Sequence, residues 1–336
     1  MRSTPSVLLS GFSDEVCRSK DVDLQFGVVA ACGLRFVSLR FLRIGEQVKN
    51  IIELTDADAD LTAERLDHYG LAVSSIGSPL GKVKLLDIND GSENRFCPFE
   101  EYLEREVERC CALAKRFGTR LIRGFSFYHP RGTSPADHVS LAAEQVRRIV
   151  ERCADHDLLY GLEVEANLVG HNANLLIRMV ELVDHPSLVL IFDGANLATQ
   201  NYSTDEIIAQ WRQMAPHVGW LHVKDYGSAA AMPDSPRGAF VDEEALRGFV
   251  PAGRGMAGYR QVFADIVEQW PRWAARMEAL RVPGLFIDLE PHLLAGGQFG
   301  GYSSPAGFGV AVREFCAMAD SVGLPIQLRG FSPTKM

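Results

Sequence analysis

The sequence has no CxxC pair. Its seven cysteines (Cys17, Cys32, Cys97, Cys110, Cys111, Cys153 and Cys316) are odd in number and irregularly spaced. That argues against a disulfide framework and a structural zinc site, and favours buried or free thiols in a reducing cytosol. No run of about 18 apolar residues is present, so nothing reads as a membrane span. The N-terminal stretch MRSTPSVLLSGFSDEV lacks the apolar run of a signal peptide. Basic residues are in deficit, with Lys plus Arg at 34 against Asp plus Glu at 43 and a net charge of −9. The densest basic clusters, AKRFGTRLIR and QVRRIVERC, read as helix faces and strand flanks, so no nucleic-acid partner is expected. No GxGxxG follows the first apolar strand and no GxxxxGK[ST] loop occurs, which disfavours the nucleotide-binding forms of α/β fold.

What is present is an alternation. The 336 residues are 47% hydrophobic and 23% charged, a composition ordinary for a soluble globular protein. Eight short apolar runs stand out: SVLLS, FVSLRF, AVSSIG, RLIRGF, YGLEVE, LVLIFD, GWLHVK and LFIDLE. They are apolar on both faces, as parallel strands covered by helices are. Helical segments lie between them. FEEYLEREVERCCALAKRFG places Tyr102, Leu103, Val107, Cys110, Cys111 and Leu113 on one side and stops at Gly118. SPADHVSLAAEQVRRIVERCADH opens on Ser134 and Pro135, and STDEIIAQWRQM on Ser203 and Thr204. Eight strand–helix repeats predict a single (β/α)8 TIM barrel domain spanning 1–336. Two connections, residues 77–98 after strand three and 226–257 after strand seven, exceed the ~12–15 residues usual for loops. In a barrel both fall on the catalytic face.

Four of the apolar strands end in charged or polar groups. Strand five ends in Glu163 and Glu165, strand six in Asp193, strand seven in His222, Lys224 and Asp225, and strand eight in Glu290, with His292 just beyond. In a barrel the strand C-termini converge around the axis. Glu163, Asp193, His222 and Glu290 can therefore meet. Three converging carboxylates repel one another, and a divalent cation removes that cost. Glu163 is preferred to Glu165 because it directly follows the apolar YGL. One imidazole with three carboxylates suits one divalent cation, Mn2+ first, with Mg2+, Co2+, Fe2+ or Zn2+ also fitting.

These residues also carry a resemblance. LEV followed by a histidine, FDGANL, LHVKD and LEPHL, with GFSDE, SSIGSPLGK and IRGFSFY earlier in the chain, resemble the sugar isomerase/epimerase superfamily with the xylose isomerase-like TIM barrel. The likeness spans roughly residues 7–322. It implies the same ligand set, Glu163, Asp193, His222 and Glu290. It also implies that Glu163 and Glu290 move protons on opposite faces of a ketose. A histidine eight positions after the first glutamate corresponds to His171. Where the ketose epimerases have a histidine three positions after the aspartate, this chain has Asn196.

The chemistry expected is removal of a proton next to a sugar carbonyl through a metal-bound enediolate. Return of the proton gives an isomerase or epimerase. Expulsion of a β-substituent gives a lyase on 3-oxo-glycosides, resembling the catalytic subunit of C-glycoside deglycosidases, which work with a small β-rich partner. His171 suits the one-sided base such an elimination needs. Lys224 either offsets developing negative charge or pairs with Asp225. Asn196, Arg123 and His129 are candidate substrate contacts, and His292 a candidate outer hydrogen-bond partner. The expected substrate is a small sugar or a 3-oxo-glycoside. A homo-oligomer or a β-rich partner subunit, and a cytoplasmic setting without membrane contact, complete the expectations.

Overall fold

A computed structural model of the chain describes residues 6–227, 240–243, 246–291 and 304–327. Strands β1 (Ser6–Gly11), β2 (Phe36–Leu39), β3 (Ala72–Leu80), β4 (Leu121–Gly124), β5 (Leu159–Glu163), β6 (Leu188–Phe192), β7 (Val218–Val223) and β8 (Gly284–Leu289) coincide with the eight apolar runs of the sequence. All pair in parallel, in the order β1-β8-β7-β6-β5-β4-β3-β2. A parallel bridge between Phe12 and Ser38 brings β1 back to β2, so the barrel is nearly closed. A short strand, Ile326–Gln327, adds a second parallel partner to β1. Every residue of β4 to β8 is buried, the double-sided burial that continuous apolar runs demand.

Local signals set the helices. Ser203 and Glu206 form a reciprocal capping box at the start of Thr204–Met214. Gly118, at φ 68°, ends the segment that begins at Phe99, and its amide returns to Lys115. The six residues assigned to that segment's inner face are all buried, although a π turn interrupts the helix at Leu103–Val107. Ser134 departs from expectation. It makes no capping bond, because Pro135–His138 form a 3-10 turn first and the α-helix begins only at Val139. All seven cysteines carry free thiols. Among the described residues no helix is long and apolar enough to cross a membrane.

The barrel interior is not uniformly apolar. Ser10, Ser38, Ser74, Ser75 and Asp288 form a buried polar layer supplied by β1, β2, β3 and β8. Ser74 and Ser75 donate to the two oxygens of Asp288 at 2.8 and 2.9 Å. Ser10 and Ser38 bond those serines at 2.7 Å each. A buried carboxylate without such donors would be costly. This layer borders His222, because Asp288 and His222 are register partners on β8 and β7 and His222 Nε2 lies 3.9 Å from Asp288 Oδ2.

Candidate metal centre

Glu163, Asp193, His222 and Glu290 end or follow strands β5 to β8, and each offers one ligand atom within 4.8 Å of the others. All four are at most 3% exposed. His222 Nδ1 faces Glu163 Oε1 at 3.1 Å and Glu290 Oε1 at 3.3 Å. Its Nε2 points at Asp288 Oδ2, 3.9 Å away. Asp193 accepts through Oδ1 from the amides of Ala195 and Asn196, capping the short helix Gly194–Ala198 and leaving Oδ2 for the group. Asn196 donates to Glu163 Oε1 at 3.2 Å and to the Val164 carbonyl, so it holds the carboxylate in place. Glu163 Oε2 is buried with no hydrogen-bond partner among the described residues. Such an orphaned atom needs an explanation. Three carboxylates and one imidazole with inward lone pairs fit a divalent cation such as Mn2+ or Mg2+.

Positive side chains stand against the carboxylates of the group. Lys224 Nζ stands 2.9 Å from Asp193 Oδ2 and 3.2 Å from Glu290 Oε2. Burial pushes Asp193 up to about 7, with Lys224 opposing and the Glu290 and Glu163 charges adding. Glu163 is held down at about 2, its burial outweighed by the His222 ring and Arg123. Burial pulls His222 down, but Glu163, Glu290 and Asp288 together carry it above its ordinary value. The Lys224 ammonium thus supplies positive charge to two of the carboxylates that a cation would neutralise.

The group opens into a cavity of about 430 Å3 whose wall is rich in cations. Arg40 donates to Asp14 and Glu15 and stands 3.7 Å from Glu290 Oε2. Its guanidinium lies over Phe12 at 4.6 Å, and the Phe12 ring meets His222 edge-on at 5.0 Å. Arg123 is 7% exposed, donates to the carbonyls of Ser78 and Gly77, and lies 3.6 Å from Glu163 Oε2. Lys82 pairs with Glu165 at 3.1 Å. It follows Gly81, which adopts φ +87° and passes so close to the Phe125 carbonyl that a Cβ would lie 2.0 Å from its oxygen.

The sequence-predicted residues divide between two places. Arg123 and Lys224 line the cavity of the four-residue group, and Asn196 braces Glu163 from behind. Lys224 pairs with Asp193 and Glu290, whereas Asp225 accepts amide bonds from Tyr226, Gly253, Gly255 and Ala257. That nest is the run GRGMAG, whose glycine spacing resembles a dinucleotide loop but whose amides hold the chain's own carboxylate. His171 and His129 line a separate cavity. Both ring nitrogens of His171 are engaged, Nδ1 with Gln200 Oε1 at 2.9 Å and Nε2 with Asn172 at 3.1 Å. His292 lies outside the described residues. Arg40, Asp14 and Lys82 were not singled out from sequence. The signal existed, since Arg40 follows strand two just as the acids follow strands five to eight.

Glu243 gives a prediction independent of any ion. It is 8% exposed, receives Asn167 Nδ2 at 3.2 Å and is pushed up to about 7, chiefly by burial, with Lys82 opposing. An acid held above its ordinary 4.5 binds its proton more tightly in the folded chain than in the unfolded one. Stability therefore falls as pH rises from 4.5 to 7 and is level above. Glu243→Gln is expected to raise the thermal midpoint at pH 8 by roughly 2–4 °C. The gain should shrink toward zero as pH approaches 4.5. A pH series of melting curves for both proteins checks this.

The sequence model of the family described as Xylose isomerase-like TIM barrel matches residues 26–281. A 3-dehydroshikimate dehydratase of Bacillus anthracis is 22% identical over 189 residues, covering 55% of this chain and 66% of that protein. The match thus spans just under two thirds of the relative's length. A xylose isomerase-like TIM barrel protein from Mycobacterium smegmatis, solved in complex with magnesium, superposes with a TM-score of 0.62 at 17% identity, covering 95% of this chain and 98% of that one. A D-allulose 3-epimerase from Methylomonas sp. superposes at 0.58 with 12% identity, covering 95% and 100%. At these identities the structural likeness is one of fold.

Proposed function

Since the chain belongs to the xylose isomerase-like TIM barrel family, we propose that it is a divalent-metal-dependent isomerase or epimerase that moves a proton on the carbon next to a sugar carbonyl. The observation that carries this reading is the buried group Glu163, Asp193, His222 and Glu290, with ligand atoms within 4.8 Å of one another. When bound, the cation, Mn2+ or Mg2+, supplies Lewis-acid polarisation of the carbonyl. The rest is the work of this chain's side chains. Glu163 and Glu290 take and return the proton from opposite sides of the substrate. Asn196 fixes Glu163 and Arg40 steadies Glu290. Lys224 and Arg123, both buried, face the oxygen on which negative charge grows.

Elimination is the second reading, and one observation favours it. The curated relative is a dehydratase by name. The same proton abstraction, followed by departure of a β-substituent, would make this chain a lyase on a 3-oxo-glycoside. Incubation with ketoses and 3-oxo-glycosides in deuterium oxide separates the outcomes. Deuterium in a recovered sugar skeleton supports the isomerase or epimerase, whereas release of a leaving group without such recovery supports the lyase. Activity should vanish with a chelator and return with Mn2+. Turnover unaffected by thorough chelation would sink both readings.

A further inference from the structure

A second cavity, of about 300 Å3, lies beside the first. The loops after β3, β4 and β5 line it, and Phe240 closes one side. Most of its polar groups already have partners. Asp90 accepts from Ser92, Lys84 and the Arg131 amide. Asn167 bonds Val241 in both directions and also donates to Glu243. His171 is engaged at both nitrogens, as above. A polyhydroxylated ring would find few open acceptors here. Beside Asn94, Ser92 and Thr133, the space is lined by the rings of Tyr128, His129 and Phe240. The Arg131 guanidinium lies over Phe240 at 4.7 Å. His129 is backed by His138, stacked at 6.1 Å. No hydrogen bond to the Tyr128 hydroxyl or to His129 Nε2 is made among the described residues.

We propose that this cavity binds a phenolic ring, stacked among Tyr128, His129 and Phe240 with its hydroxyl met by Tyr128 or His129. Flat apolar faces with a few unengaged polar atoms at the edge are what such a ring requires. Arg131 adds a cation–π and stacking surface for an electron-rich ring. The wall between the two cavities is one linked set. Asn167 reaches Glu243, and Lys82, on the far side, pairs with Glu165 and lies within electrostatic reach of Glu243 and Tyr128. A substrate with its carbonyl part at the four-residue group and an aryl part here would span that wall. That last step rests on the function proposed above, but the phenol site itself needs no metal.

The experiment is therefore done on chelator-treated full-length protein, with 4-nitrophenol as probe, by titration calorimetry. Saturable binding at one equivalent is expected. Phe240→Ala and His129→Ala should each weaken it at least about tenfold, while Glu163→Gln leaves it unchanged. Phe240 is 61% exposed, so its truncation spares the core. Binding that does not saturate, that survives both substitutions, or that Glu163→Gln weakens equally would overturn the proposal. Failure of metal-dependent exchange with phenol binding intact would instead count against the catalytic reading alone.

Discussion

Replacing Glu163 with glutamine is expected to lower affinity for Mn2+ by more than about a hundredfold, because even the outer partners of metal ligands are worth about 10–100-fold. Turnover should fall by about 10³-fold or more, since the substitution removes a ligand and a proton-transfer group together. The change is isosteric at a position 1% exposed, so the fold should survive it. The amide would, however, turn either its NH2 toward the Asn196 NH2 that now donates to Oε1, or its oxygen there and its NH2 toward the site. Neither arrangement restores an anionic ligand. Glu165→Gln is the control. Its carboxylate pairs with Lys82 rather than with the group, so ion affinity should stay within a few-fold of the parent. Calorimetry with Mn2+ on both variants decides. Ion binding lost in Glu165→Gln and kept in Glu163→Gln would move the site by one residue pair and undo the assignment.

The contrast between these two glutamates shows what the chain discloses in one dimension. The eight strands were legible because each is a short run buried on both faces, and burial on both faces leaves an unbroken apolar signature. The four-residue group was legible because polar groups at the ends of such runs are anomalous, and barrel topology converts four separated anomalies into one place. The choice between Glu163 and Glu165 lies at the limit of such reasoning, because it depends on where β5 ends and which way the next two residues turn. What escaped was pairwise. Arg40 bracing Glu290, Lys82 on Glu165, and the serines under Asp288 join segments 83 to 250 residues apart, and no local pattern announces which charge meets which. Asp288 shows this most plainly. In the run FIDLE it looks misplaced, and only its donors Ser74 and Ser75, more than 200 residues away, explain it. His171 was singled out by its spacing from Glu163, and its loop places it on the lining of the second cavity.

Lys224→Met should separate binding from catalysis. The ammonium of Lys224 lies 2.9 Å from Asp193 Oδ2 and 3.2 Å from Glu290 Oε2, so it shares the oxygens a cation would use. A like-charge pair about 4 Å apart costs about 4 kcal/mol at an effective dielectric of 20. Removing the lysine charge should therefore tighten Mn2+ binding by about tenfold or more, even after discounting for rearrangement. The same change leaves buried carboxylates without their counterion, which is strongly destabilising. The ion-free variant should melt below the parent, and Mn2+ should raise its midpoint by more than it raises the parent's. Turnover should nonetheless fall by about 10²–10³-fold, because the group that meets the growing negative charge is gone. A side chain that merely filled space would show neither the loss of stability nor the gain in affinity, since methionine fills nearly the same volume. Weaker Mn2+ binding in Lys224→Met would mean that the lysine organises the ligands rather than competing with the ion. The charge account of the site would then have to be rebuilt around Arg40 and Arg123, whose guanidiniums stand within 4 Å of Glu290 and Glu163.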